Sequence, residues 1–307
     1  RINVIFGDNA QGKTNLLEAV AYLSSASSHR ARYDRELIQF GVDHAFVKGE
    51  VASRGRDFTL EASLHRGARR QLLSNGVRLK NAGELAGILN TVLFCPEDLY
   101  LIRAGAEARR KFLDQCICQL RPRYAVALAE YKRLREHKTR ILRDSAEHPD
   151  LLDTLDDFSL RMAQCGAILV HYRAHFIKKL RQAAPPIHAD CSGGRERLEL
   201  EYRTVSTVTD PEAPPKTLLP QLLDHQESHR RAEIESRSCL SGPHKDDLSV
   251  SIDGCPAGAY ASQGQTRTAA LALKLAARDI FYQDTQEWPV LLLDDVLSEL
   301  DSRRQEF

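Results

Sequence analysis

The 307-residue chain is 42% hydrophobic and 28% charged, enough apolar matter for one large core or two lobes, with no run near the roughly 20 apolar residues of a membrane-spanning helix. A total of 43 Lys and Arg against 42 Asp and Glu leaves a formal net charge of +1, so overall charge gives no argument for nucleic acid, whose binding needs a locally basic face. The seven cysteines lack paired metal-ligand spacing, and Cys116-x-Cys118 is too tight for zinc or thioredoxin patterns, so reduced thiols in a cytoplasmic protein are the reading.

In chain order, residues 2–6 form a short apolar strand, followed by a glycine-containing loop and a helix carrying Leu16, Leu17, Val20 and Leu23. Strand-like segments at 45–52, 58–65 and 71–74, the last turning through Asn75-Gly76 into 77–79, predict an antiparallel β-region. Residues 91–94 make another apolar strand, ended by Cys95-Pro96-Glu97-Asp98. From Ile117 to Ile141, and again from Leu151 to Leu180, apolar residues recur at steps of three and four; with Pro149 between them, the two runs predict a helical hairpin closed off by Pro185-Pro186. A strand at 198–202 and a polar helix from Leu218 to about Arg237 follow. The last part reads as strand 248–252, a turn at Asp253-Gly254, a loop at 260–265, a helix to about Gln283 and strand 290–293, whose unbroken apolar character suits a parallel strand buried on both faces. The opening at Arg1 inside an apolar run, and the ending at Phe307 where a helix should be under way, read as cuts in a longer chain.

Gly7-Asp8-Asn9-Ala10-Gln11-Gly12-Lys13-Thr14 fits the phosphate loop G-x-x-x-x-G-K-[ST], and it stands in the required place between a strand and a helix. Backbone N–H groups at a positive helix end face the phosphates of ATP, Lys13 neutralises β and γ charge, and Thr14 ligates Mg²⁺. Val290-Leu291-Leu292-Leu293-Asp294-Asp295 fits a Walker B strand, with Asp294 holding Mg²⁺ and Asp295 placed to orient or activate the attacking water. Ser262-x-Gly264-Gln265 upstream matches the ABC signature at its serine, second glycine and glutamine and departs from it at Ala261 and Gln263. An ordinary helix cap at Ser262 is the plainer alternative. Ser298-Glu299-Leu300-Asp301 follows Walker B as a D-loop does.

This combination resembles the ABC-type ATPases, and further stretches resemble the RecF family within them. They are the phosphate loop through Asn15, Asp34-x-Glu36-Leu37-Ile38 with Gly41, and Phe94-x-Pro96-Glu97-Asp98-Leu99. Arg109-Arg110-x-Phe112-Leu113-Asp114 and Ser241-Gly242-Pro243-His244-x-Asp246-Asp247-Leu248 complete the set. The resemblance implies an α/β fold, a two-lobe SMC-like ATPase head with a short helical-hairpin insertion. Lobe I would hold residues 1–112, lobe II 113–265, and 266–307 would return to lobe I with Walker B and the D-loop. It further implies Mg²⁺-dependent ATPase activity and an ATP-dependent homodimer; Asp295, one methylene shorter than the glutamate usual at its position, predicts that the activity is weak. In that dimer Gly7, Asn9, Gly12, Lys13, Thr14, Asn15, Asp294 and Asp295 serve one subunit's ATP, while Ser262, Gly264 and Gln265 reach the other's. Its partners would be double-stranded and gapped DNA, RecR, and the RecO and RecA proteins of recombinational repair.

Some positions stay open. Arg109, Arg110 and Lys111 are candidate DNA contacts, as are Lys132, Arg133, Arg135, Lys138, Arg140 and Arg143 on the first long helix and Lys178, Lys179 and Arg181 on the second. Acidic residues among them fit a solvated helix face equally well. Arg30 and Arg32 stand beyond the phosphate-loop helix as phosphate candidates; no convincing Q-loop glutamine ends strand 91–94, where Pro96-Glu97-Asp98 reads more as a plain loop than as carboxylates in touch with the nucleotide; and His244, Asp246 and Asp247 read as a structural group more than a metal site. The nucleotide-binding subunit of a membrane transporter shares the ATP motifs, but the long helical insertion between Lys13 and Ser262 argues against it. A kinase or GTPase would not need the signature loop, and no N-K-x-D motif follows the phosphate loop.

Overall fold

The structure is a computed structural model that describes residues 2–31 and 33–295. In chain order its elements are α1 (Lys13–Ser25), β1 (His44–Ser53), β2 (Arg56–His65), β3 (Gln71–Ser74), β4 (Val77–Arg78), β5 (Thr91–Phe94), α2 (Tyr100–Arg103), α3 (Ala106–Leu120) and α4 (Pro122–Asp144). They continue with α5 (Leu155–Ser192), β6 (Leu198–Arg203), α6 (Pro215–Ser236), β7 (Asp247–Ile252), β8 (Cys255–Pro256), α7 (Ala257–Tyr260), α8 (Gln263–Thr285) and β9 (Val290–Leu293). Two compact units result: unit 1 runs through Asp98, takes in Cys118–Pro122 and resumes at Lys274, and unit 2 is Leu99–Ile117 with Arg123–Leu273. The stretch 99–112, expected with the first lobe, makes its contacts in unit 2.

In unit 1 the alternating segments form an antiparallel meander in the order β1-β2-β3-β4, with His44 opposite His65 and Ser53 opposite Arg56. Period-2 alternation puts Leu60, Ala62 and Leu64 of β2 on one face, where Tyr22 and Leu23 of α1 and Ala26 just after it cover them. Burying each of the larger side chains contributes about 1.5–3 kcal/mol. The β3-β4 turn carries Asn75 at φ 51° and Gly76 at φ 76°, two left-handed residues in succession, as a type I′ hairpin requires. β5 pairs with β9 in parallel, Thr91 beside Val290 and Phe94 beside Leu293.

Unit 2 contains the expected hairpin, and its two arms run antiparallel. Tyr124 of α4 meets Tyr172 of α5 edge-on at 6.1 Å, Arg161 bonds Glu130 at 2.8 Å, and His137 stacks on Phe158 at 6.2 Å. Small residues on α5 admit α6 closely: Ala163, Ala167 and Val170 bury against Leu218 and Leu222. A Cβ on Gly166 would already stand 3.2 Å from Pro243. β6, β7 and β8 make an antiparallel sheet with Leu198 opposite Ile252.

Four expectations need correction. Residues 2–6 form no ladder with any described strand, and Ile2 and Phe6 are exposed. β9 is parallel but not buried on both faces, because among the described residues only β5 pairs with it and Val290, Leu291 and Leu293 remain open. The first helical run is two helices, since Arg121 is non-helical and Pro122 starts α4 at a position that needs no N–H donor. Pro185-Pro186 does not end α5; the helix runs on to Ser192 with Ala184, His188 and Ser192 still buried, and α5 packs against β6. Packing on that sheet overrides the two missing donors.

Candidate nucleotide site and signature loop

The phosphate loop enters α1 through Gly12, whose φ of 87° lies in the left-handed region that a side chain would disfavour. A Cβ at Gly7 or Gly12 would meet nothing within 4 Å, so the loop's concave side is open where phosphate oxygens would lie. The Lys13 ammonium spans the loop, donating to the carbonyls of Gly7 at 2.8 Å and Asp8 at 2.7 Å. Asn9 and Asn15 flank it, both exposed.

Walker B meets this loop inside unit 1. Asp294 N donates to Phe94 O at 2.9 Å, which extends the β5-β9 ladder by one bond and fixes the carboxylate at the strand end. Thr14 Oγ1 then donates to Asp294 Oδ1 at 3.1 Å across 280 residues. A hydroxyl and a carboxylate oxygen side by side are the hard-oxygen donors Mg²⁺ takes, together with phosphate oxygens and water. Asp295 adopts φ 51° and is exposed. Residues 298–301, the expected D-loop, and Arg32 lie outside the described residues; Arg30 is exposed, 3.9 Å from Glu18.

In unit 2, Ser262 and Gln265 form a reciprocal capping box at the start of α8. Gln265 N donates to Ser262 Oγ at 3.2 Å and Ser262 N to Gln265 Oε1 at 2.8 Å. The cap is therefore real, and it also fixes the loop: Ser262 stays exposed and its hydroxyl proton is not used in the bond. Gly264 sits between them in the first turn.

Asp98 is held within unit 1. Asp98 Oδ2 accepts from Cys95 N at 2.9 Å, and Asp98 Oδ1 pairs with Lys274 at 2.8 Å. Lys274 also donates to Leu93 O at 2.7 Å, so it pins the end of β5. The sequence reading missed Lys274; a lone lysine amid Ala269, Ala270, Ala272, Leu273, Ala276 and Ala277 was the available signal. Burial pushes the Cys95 thiol up to about 12, with Asp98 adding to it, which makes this cysteine unreactive. Asp34 is likewise structural: it accepts from Tyr22 OH at 3.0 Å and pairs with Arg70, which also caps the end of α1 at Ala26 O.

Two of the first DNA candidates are engaged within unit 2. Arg109 grips Asp247 through Nε at 2.7 Å and Nη2 at 2.9 Å, and Arg110 donates to Asp246 O at 2.6 Å. Both guanidinium groups serve the interior of unit 2, whereas Lys111 is exposed. Lys138 is also withdrawn, buried in an ion pair with Glu233 at 2.7 Å. Asp246 belongs to the same interior: Arg173, Tyr202 and Thr204 all donate to its carboxylate. Every member of the His244-Asp246-Asp247 group has such a partner, consistent with a structural role.

Phosphate loop, Walker B, signature loop and this α/β architecture define the class: an ABC-type P-loop ATPase with an SMC-like head. The model of the RecF/RecN/SMC N-terminal domain matches residues 1–307. The DNA replication and repair protein RecF of Agathobacter rectalis is 39% identical over 306 residues, covering 99% of this chain and 81% of that protein. RecF of Listeria welshimeri is 40% identical over 308 residues, covering 99% and 82%. A solved structure of the recombination mediator protein RecF-ATP in the RecFOR pathway superposes with a TM-score of 0.90 at 34% identity, over 99% of this chain and 81% of that one. The chain belongs to the RecF family. No helix among the described residues is long and apolar enough to cross a membrane.

Proposed function

We propose that this chain is an ATP-driven switch of recombinational DNA repair that dimerises on ATP, binds duplex DNA near single-strand gaps and, with RecR and alongside RecO, assists the loading of RecA. The observation that carries the nucleotide part is Thr14 facing Asp294 at 3.1 Å beside an open phosphate loop. On this reading Thr14 and Asp294 hold Mg²⁺, and Lys13 leaves the carbonyls of Gly7 and Asp8 to meet phosphate, a favourable exchange for an ammonium. Bound ATP supplies a γ-phosphoryl group for transfer to water. Asp295 orients that water, and with one methylene less than glutamate it does so poorly, which fits a slow switch; a turnover of several tens per second would refute this. Ser262, Gly264 and Gln265 serve the ATP of a second copy, as the open face of the signature loop allows. The relatives' roles in DNA replication and repair, and the ATP in the solved RecF, support the same reading. Among the basic candidates, Lys111, Lys132, Arg140 and Arg143 are exposed and supply the phosphate contacts.

The test is anisotropy of a labelled gapped duplex, titrated with protein in ATP, in ADP and without nucleotide at several salt concentrations. Binding should require ATP and weaken steeply with salt. Lys13→Met should lose ATP binding, whereas Ser262→Arg should keep it and lose ATP-dependent dimerisation. If both variants still dimerise with ATP, the signature loop does not act across subunits.

A further inference from the structure

Inside unit 2 the bidentate Arg109–Asp247 pair reaches further than the two residues it joins. The third guanidinium nitrogen, Nη1, donates at 3.1 Å to both Ile102 O and Ala104 O. These carbonyls close the short helix α2, where no continuing turn can supply an N–H. Arg103, the last residue of α2, in turn donates through Nη2 to Ala261 O at 3.2 Å. Ala261 immediately precedes Ser262. α2 also lies tightly on the approach to that loop, because a Cβ on Gly258 of α7 would stand 3.1 Å from Ile102 O. Asp247 opens β7, and the chain runs from there through β8 and α7 into Ala261 and Ser262. The two ends of this continuous segment are therefore closed on each other through Arg109, the carbonyls of α2 and Arg103.

We infer that Arg103 and Arg109 are positioning residues of the signature loop: together they hold α2 as a splint against the Asp247-to-Ser262 segment, so that the loop is presented in one orientation. The planar fork of Arg109 is essential to this, because a lysine at that position can pair with Asp247 but cannot hold two carboxylate oxygens and two carbonyls at once. A loop fixed beforehand loses less conformational freedom on meeting a second copy and its ATP, which strengthens the assembly without adding a contact to it. The consequence for dimerisation rests on reading Ser262 to Gln265 as the signature; the positioning does not.

The experiment compares the full chain with Arg103→Gln and Arg109→Lys by amide hydrogen exchange, by binding of a fluorescent ATP analogue, and by sedimentation with and without ATP. Amides in 258–266 should exchange about tenfold faster in both variants while those in the middle of α5 keep their protection. Binding of the analogue should stay within about twofold, and ATP-dependent dimerisation should weaken about tenfold, equivalent to about 1.4 kcal/mol. Unchanged exchange across 258–266 overturns the positioning. Faster exchange with undiminished dimerisation overturns its consequence for assembly. Faster exchange in a protein whose unaltered form never dimerises on ATP sinks the ATP-sandwich reading and leaves the splint standing. Should Arg109→Lys fail to fold, Arg103→Gln carries the test, since its exposed side chain has Ala261 O as its hydrogen-bond partner.

Discussion

Arg173→Met should be among the most damaging substitutions in unit 2 outside the apolar core. The guanidinium is 3% exposed and links three segments: Nη2 and Nε bond Asp114 Oδ1 at 2.9 and 3.2 Å, Nη1 bonds Asp246 Oδ2 at 3.0 Å and Pro243 O at 2.7 Å, and Nε also bonds Tyr124 OH at 3.0 Å. Methionine fills much of the volume but strands the Asp246 carboxylate, 1% exposed, with only the hydroxyls of Tyr202 and Thr204 donating to it. Removing one partner of a buried ion pair costs about 3–5 kcal/mol, since the remaining charge keeps its desolvation penalty. In a unit of this size that is a fall on the order of 10 °C in Tm, at about 2–4 °C per kcal/mol. Urea denaturation of the variant should show it as a lower midpoint at unchanged slope. Burial already raises the Asp246 carboxyl against the pull of Arg173, so in the variant it takes up a proton more readily and the deficit should shrink from pH 8 to pH 5. Adding Asp246→Asn to Arg173→Met should give less than the sum of the two single losses, by about 1–3 kcal/mol. A loss under about 1 kcal/mol for Arg173→Met, or one that grows on acidification, would refute the view of Arg173 as the charge that compensates Asp246.

Asp294→Asn should retain the fold and lose Mg²⁺-stimulated ATP hydrolysis, because an amide replaces the metal-binding charge facing Thr14; undiminished hydrolysis at saturating Mg²⁺ would count against that assignment. Gly242→Ala should destabilise by about 1–3 kcal/mol in thermal unfolding, since its φ is 127° and the new methyl would collide with Tyr131 OH. Burial lowers His244 to about 4, while an unfolded histidine titrates near 6.5; between those values the unfolded chain binds the extra proton, so stability is complete above about pH 6.5 and falls towards pH 4 by about 3 kcal/mol. His244→Asn should flatten that part of the urea-midpoint profile, and an unchanged profile would exclude the residue as its source.

Much of the fold was legible because its signals are local. Period-2 alternation with Asn75-Gly76 sufficed for the β1–β4 meander, and steps of three and four sufficed for the α4–α5 hairpin, since in both cases the buried face is written within one element. Pro185-Pro186 misled because α5 stays helical past them among buried positions packed on other elements, β6 included, which the local pattern does not show. The apolar run 290–293 was rightly read as parallel, but its burial depends on which strands flank it, and sequence pattern does not carry that information. The phosphate loop was legible residue by residue because its chemistry is backbone chemistry confined to eight positions. The approach of Thr14 to Asp294 was inferable only as a matching pair of motifs, 280 residues apart.

The same limit explains why Arg109 and Arg110 looked like a DNA surface. A basic pair on a helix reads as solvated until its counter-charges are known, and Asp247 lies 138 residues away. What separates a scaffold motif from a ligand site is whether its polar atoms are already satisfied. Around Ser241 to Asp247 they are. Ser241 bonds His225 at 2.6 Å, and His244 takes Tyr131 at 2.7 Å and Cys239 O at 3.0 Å. The carbonyls of Pro243 and Asp246 go to Arg173 and Arg110, and the carboxylates of Asp246 and Asp247 to Arg173 and Arg109. Such a segment spends the polar side chains of Ser241, His244, Asp246 and Asp247 inside the chain, and through Arg109 it is tied to the path to Ser262. The phosphate loop is the opposite case: its glycines face open space and its lysine is held only by carbonyls it can exchange for phosphate. Two polar motifs of equal prominence in the sequence therefore divide into one left open to a ligand and one that holds the framework still.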